Sequence, residues 1–313
     1  MLTVLSKTTV IFSIMAVGFV ANKSNIIPIE ANKYFVNIML LINTPCMILA
    51  GLTKFKLDDD AIETTFEVAL GSLIFFIGAW MVSWVIIKIM NYNPKKDRGV
   101  MMVIMCAINS GFMGFPITKA IFGNRAFFFM VIANAMLSFY LYLIAVIQMR
   151  YGDGSKPDAT ELKRVATNPN IIATITGIGM LAVGIDLSDP AWEFINILGN
   201  MTVPLSMLVV GVQLATSDFT SIIKNGKLIA ASLVNVLLMP ALTLATVFFL
   251  PMTAEGKLVL VFSTAFPCAV ITVAVAAKEG KNVTLMSQGV ALTTLFSIIT
   301  LPAAAVLLTK LYG

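Results

Sequence analysis

Apolar residues run through this chain in ten long stretches, at about 4–22, 34–53, 65–90, 99–121, 126–149, 169–186, 191–214, 226–250, 257–278 and 284–311, separated by polar loops. Each approaches the twenty or so residues that a helix needs to cross hydrocarbon. The pattern predicts an all-α polytopic membrane protein with ten transmembrane helices. The first stretch carries a single early charge, Lys7, and no small-residue cleavage site follows it, so a retained helix is expected rather than a signal peptide.

Composition agrees with that solvent. The 313 residues are 58% hydrophobic and 12% charged, with mean hydropathy +0.93, whereas an ordinary soluble domain carries about 25% charge. The net charge of +5 does not indicate a nucleic-acid partner, because the basic residues lie singly between apolar stretches and form no aromatic-interleaved patch. Their distribution bears on topology instead. With ten spans both termini share a side, and that side carries seven Lys and Arg against fourteen on the other. The more basic side is expected to be cytoplasmic, with both termini outside and the loop 150–168 inside, in the plasma (inner) membrane.

The halves repeat. Shifting residues 35–52 by 159 lays "FVNIMLLINTPCMILAGL" on "FINILGNMTVPLSMLVVG", matching Phe35 with Phe194, Asn37 with Asn196, Ile38 with Ile197, Pro45 with Pro204 and Leu49 with Leu208. A shift of 158 sets Asn109 on Pro267. Five spans per half force the second half to enter the membrane upside down, the design of an inverted-repeat transporter. The expected organisation is 1–149 as the first five-helix repeat, 150–168 as a cytoplasmic linker, and 169–313 as the second, inverted repeat.

One apolar stretch is interrupted by "NSGFMGFPI", residues 109–117. A broken helix persists in a membrane only where protein or a watery cavity surrounds it. Gly111 and Gly114 loosen the turn, and Pro116 suits the first turn of a new half-helix. The amides freed at that N-terminus, with the helix dipole behind them, make an anion receptor at mid-membrane. A matching break at Pro267 and Cys268 would set two interrupted helices, 4 and 9, across each other. Asn109 and Ser110 then join Gly111, Gly114, Pro116, Pro267 and Cys268 as candidate substrate contacts, with Asn43 and Pro45 facing them from span 2. Asn134, Gln288 and Pro204 are candidate supporting residues.

The same stretch, "NSGFMGFPITKAIFG", resembles the fourth span of the auxin efflux carrier family of plants and bacteria. "RVATNPN", "AFPCAVITVAVAAKEG" and "SQGVALTTLFSIITLP" extend the resemblance over nearly the whole chain. It implies a bile-acid-symporter-like fold, with a scaffold from helices 1, 2, 6 and 7 and a mobile transport domain from helices 3–5 and 8–10. It also implies the crossover asparagine at Asn109, crossover prolines at Pro116 and Pro267, and a homodimer. The chain departs from plant members in its short loop after span 5, in Pro204, and in span 3, where Glu63 and Glu67 are the nearest acids to those expected.

The chain has no histidine, and Glu63, Glu67, Glu193, Glu255 and Glu279 all sit near predicted span ends. A buried carboxylate relay for protons is not expected, while sodium can be held by carbonyls and amides, so the coupling ion stays open between the two. Cys46, Cys106 and Cys268 lie in apolar spans as packing residues with no metal-site spacing, and no cofactor is expected. The acids of "KLDDDAIE", residues 56–63, lack the spacing of a calcium loop. An enzyme would need general acid–base groups that the spans do not hold. The expected function is secondary transport of small organic anions, mono- or dicarboxylates such as malate-like acids, by an elevator-type mechanism. An anion channel and an auxin-type aromatic carboxylate exporter are the alternatives.

Overall fold

The computed structural model describes residues 2–55, 58–151 and 166–312, and every regular element among them is helical. Lys56, Leu57 and the linker between residues 152 and 165 lie outside the described residues. In chain order the helices are α1 (Leu2–Lys23), α2 (Ile29–Leu52) and α3 (Asp59–Ile89). A long run, Lys95–Met149, contains α4 (Arg98–Cys106), α5 (Phe115–Phe139) and α6 (Ala145–Met149). The remainder are α7 (Pro169–Val183), α8 (Asp189–Ala215), α9 (Phe219–Lys224), α10 (Gly226–Phe248), α11 (Ala254–Thr264), α12 (Ile271–Lys278) and α13 (Val283–Tyr312).

Six helical runs among the described residues are long and apolar enough to span a membrane: α2, α3, Lys95–Met149, α8, α10 and α13. The chain is a multi-pass membrane protein. Several helices start earlier than hydropathy predicts, because their first turns are polar and capped. α3 begins six residues before 65, where the Asp58 carboxylate accepts from the Ala61 amide at 2.8 Å, and α11 begins at Ala254 behind a Thr253 cap.

The run Lys95–Met149 does not extend as one rod. The Ser110 hydroxyl donates to Asn134 Oδ1 at 2.9 Å, although 24 intervening helical steps would separate them by about 36 Å. The chain doubles back at Gly123, whose φ of 86° and ψ of −170° are open to glycine and strained for other residues.

Two packing groups result. α1 lies along the second half of α8, and the second half of α2 packs on α7 and on the start of α8. In the other group α3 packs on α4, α5 and α11, while α10 meets α11 and α13 meets α11 and α12. Backbones approach closely at glycine in both groups, as expected where packing rather than water drives helix association; in the second, a Cβ on Gly99 of α4 would collide with the Gln148 carbonyl of α6. A Cβ on Gly211 would collide with the Met15 carbonyl, one on Gly18 with the Leu208 carbonyl, and one on Gly199 would lie 2.7 Å from Met47 Cα. In span 6 only Gly177 packs tightly, against Leu52. Gly179 and Gly184 face open space, and Gly184 serves as the left-handed cap of α7 at φ 72°.

Charged residues pair near the Gly123 bend and around the first and last turns of the helices. Arg125 bridges Asp58 at 2.7 Å and Glu255 at 2.6 Å, which holds the Asp58 carboxyl below its usual range. Glu67 accepts from the Thr253 amide and hydroxyl, and Arg150 pairs with Glu279 at 2.7 Å. These acids therefore serve as structural partners, including Asp58 of the acidic 56–63 cluster.

Candidate functional site

The chain is broken twice in the middle of apolar runs. Residues 107–109 separate α4 from a wide π turn, Ser110–Gly114, that leads into α5. Residues 265–270 separate α11 from α12. The breaks touch: the Asn109 amide donates to the Pro267 carbonyl at 2.8 Å. Protein encloses them, for every residue from Val100 to Ile108 is at most 2% exposed. That enclosure meets the condition for tolerating irregular backbone at membrane depth.

The freed backbone groups find partners on other helices. Asn235, fully buried in α10, donates through Nδ2 to the carbonyls of Ala107 at 3.0 Å and Met105 at 3.3 Å, the orphan acceptors at the end of α4. The Cys268 amide donates to Thr293 Oγ1 of α13 at 3.1 Å. We expect Asn235→Leu to lower stability by about 1–3 kcal/mol, the cost of stranding a buried acceptor. Thermal unfolding in detergent measures this, and an unchanged midpoint would show that these carbonyls find another donor.

A small cavity of ≈ 50 Å³ adjoins the first break. Asn109, Gly111 and Phe112 contribute one side, and Ala269 and Ile271 bring the start of α12 to it. α5 and the turn after it supply Asn134, Leu137, Ser138, Leu141 and Tyr142, while α2 gives Leu40 and Thr44 and the start of α7 gives Asn168 and Asn170. None of these side chains is charged. Asn109 is 3% exposed and its Nδ2 has no partner among the described residues; the Thr44 hydroxyl and Asn170 Oδ1 are likewise buried without one. Each is a buried polar group whose hydrogen-bonding capacity no described protein group takes up, beside a cavity that a polar guest can enter.

Of the residues expected from sequence, Asn109, Gly111 and Asn134 line this cavity. Ser110 is fully buried against Asn134, and Pro267 and Cys268 form the second break without lining the cavity. Gly114 packs toward Phe266, where a Cβ would lie 3.3 Å from the ring. Asn43 is 1% exposed beside Thr44 and its Nδ2 also lacks a partner. The other expected residues lie elsewhere. Gln288 donates to Ser221 at 2.7 Å, Pro204 is exposed on α8, and Pro116 lines a separate hollow with Lys119 and Val203. The Lys119 ammonium lies 5.6 Å from the Phe127 ring centre.

Pro45 and Pro116 act by shaping backbone. Each stands two residues after a π turn, Met39–Asn43 and Ser110–Gly114, and Pro240 stands likewise after Val234–Leu238. A proline inside a helix removes one amide and pushes against the carbonyl four residues earlier, which opens the turn before it. Two of these widened turns, with a fourth at Tyr140–Ile144, carry cavity residues. The third carries Asn235.

A family described as "Membrane transport protein" matches residues 3–304. An uncharacterized transporter of Methanocaldococcus jannaschii is 24% identical over 297 residues, covering 93% of this chain and 94% of the relative. A second uncharacterized transporter, from Methanothermobacter thermautotrophicus, is 25% identical over 210 residues, covering 66% of this chain and 67% of the relative.

Proposed function

Because the chain belongs to this membrane transport protein family, the auxin efflux carrier family, we propose that it is a secondary transporter of small organic anions, mono- or dicarboxylates. It is a transport protein and not an enzyme. The observation that carries the anion reading is the pair of touching breaks joined by the Asn109–Pro267 hydrogen bond, with a cavity at the first turn of each new half-helix. Amides at a helix start point at the ligand, and the dipole favours negative charge there. A carboxylate is thus held without a buried Arg or Lys.

In the reading proposed, ten spans form two inverted repeats whose breaks cross at mid-membrane, with both termini outside. α1, α2, α7 and α8 act as scaffold, and the rest move past them as an elevator. The separation of the two packing groups supports this division, as does a cavity drawn from both. Leu40, Thr44, Asn168 and Asn170 belong to the scaffold wall, whereas Asn109, Asn134 and Ala269 belong to the moving wall. Sliding one wall past the other would expose the anion first to one side and then to the other.

Reconstituted protein tests this reading. Vesicles loaded with an unlabelled carboxylate are expected to accumulate the labelled compound by counterflow, with uptake that saturates. Uptake that rises linearly with concentration and shows no counterflow would favour a channel and remove the elevator.

A further inference from the structure

We propose that the cavity selects a monocarboxylate with a neutral hydrogen-bond donor beside the carboxylate, a 2-hydroxy acid of about two to four carbons, and disfavours dicarboxylates. This rests on the reading of the cavity as an anion site, and it narrows that reading by charge, size and hydrogen-bond inventory.

Charge sets the first limit. No cavity-lining residue is charged, so the positive field comes from two half-helix starts, each equivalent to about half an elementary charge. Together they balance one carboxylate. A second carboxylate drawn in beside the first would find no positive group opposite it among the lining residues, and neutral amides do not offset the loss of its hydration. Size sets the second limit. The cavity of ≈ 50 Å³ is about a third of one that holds benzene, so little of the ligand beyond its carboxylate and the adjoining carbons is enclosed.

Hydrogen bonding sets the third. Asn109 Nδ2 is a donor without a partner among the described residues, and a carboxylate satisfies it. Asn170 Oδ1, on the α7 side of the cavity, is an acceptor without a partner among the described residues. An ionised carboxylate has no proton to give it, whereas a hydroxyl on the next carbon does. A 2-oxo acid, with only acceptors at that position, leaves Asn170 stranded. Asn170 is therefore a specificity-determining residue, and the scaffold wall reads the neutral part of the ligand.

The test titrates purified wild-type protein at pH 7 with glycolate, lactate, acetate, pyruvate and malate, reading the shift in melting temperature as binding. Lactate or glycolate is expected to bind about tenfold more tightly than acetate, pyruvate or malate, in line with a site that penalises a missing donor. Asn170→Ala is expected to shrink the lactate-over-pyruvate preference to within about twofold. Malate binding as tightly as lactate would overturn the single-charge limit but leave the anion site standing, and equal lactate and pyruvate binding would overturn the role of Asn170. No shift with any of the five acids would overturn both this inference and the anion reading. Because the wild-type ranking alone decides between these results, the inference is tested even if Asn170→Ala fails to fold.

Discussion

Asn109→Ala is expected to weaken carboxylate binding by about ten- to a hundredfold while leaving the unliganded protein as stable as before. The reasoning starts from the amide group. Asn109 is 3% exposed, and its Nδ2 meets no acceptor among the described residues. No protein acceptor among the described residues holds this donor, so removing it breaks no hydrogen bond of the fold. The bond that joins the two breaks runs from the Asn109 backbone amide to Pro267, so alanine retains it. A bound carboxylate, in contrast, loses a hydrogen bond to a charged group, worth about 1.5–3 kcal/mol. A melting series with and without carboxylate separates these effects, because the ligand-induced shift disappears while the baseline holds. If the variant kept the wild-type shift, Asn109 would not be a ligand contact, and the cavity would have to bind through its other wall.

The residues that sequence pattern finds are those whose chemistry is locally improbable in oil. Asn, Ser, two Gly and a Pro inside one apolar stretch demand an explanation, and the structure breaks the helix there. Pro267 marks the second break for the same reason. The residues that pattern does not assign are ordinary in place and become special through tertiary contact. Asn168 reads as a helix cap before Pro169, and it does accept from the Asn170 amide at 2.8 Å. Nothing in the local sequence says that Asn170 then faces a cavity shared with α5. Asn235 was a visible signal, an asparagine in an otherwise apolar span that had to find a partner within the protein. Its partners, the carbonyls of Met105 and Ala107, are some 130 residues away. Gln288 shows the converse, since being polar in span 10 gave it a place near the breaks, whereas it donates to Ser221 of α9. The π turns leave one trace in sequence, a proline two residues beyond, and Tyr140–Ile144 lacks even that. The family relationship is legible along almost the full chain, because it rests on strings of residues and not on any one contact.

Gly211→Val is expected to be among the most damaging small changes outside the breaks, lowering stability by about 3 kcal/mol. A Cβ at this position would meet the Met15 carbonyl and lie 2.7 Å from the Phe19 amide nitrogen. Both are backbone atoms of α1, so no rotamer change relieves the clash and the helix as a whole must withdraw. Gly18, on the facing turn of α1, makes the same kind of approach to Leu208, which means that the contact is glycine-lined from both sides. Lipid tails are as apolar as the side chains involved, so burial gives little drive for this association. It depends on close van der Waals contact, which weakens steeply with separation. Overpacking of a tight site costs about 1–3 kcal/mol, with larger values where backbone must move, and valine here belongs with the latter. Gly179→Ala is the control, because nothing lies within 4 Å of the position its Cβ would take. Thermal unfolding of the two variants in the same detergent should show a drop of several degrees for Gly211→Val and none for Gly179→Ala. Equal midpoints would mean that α1 is free to move away from α8 at little cost, and a rigid scaffold built on that pair could not be maintained.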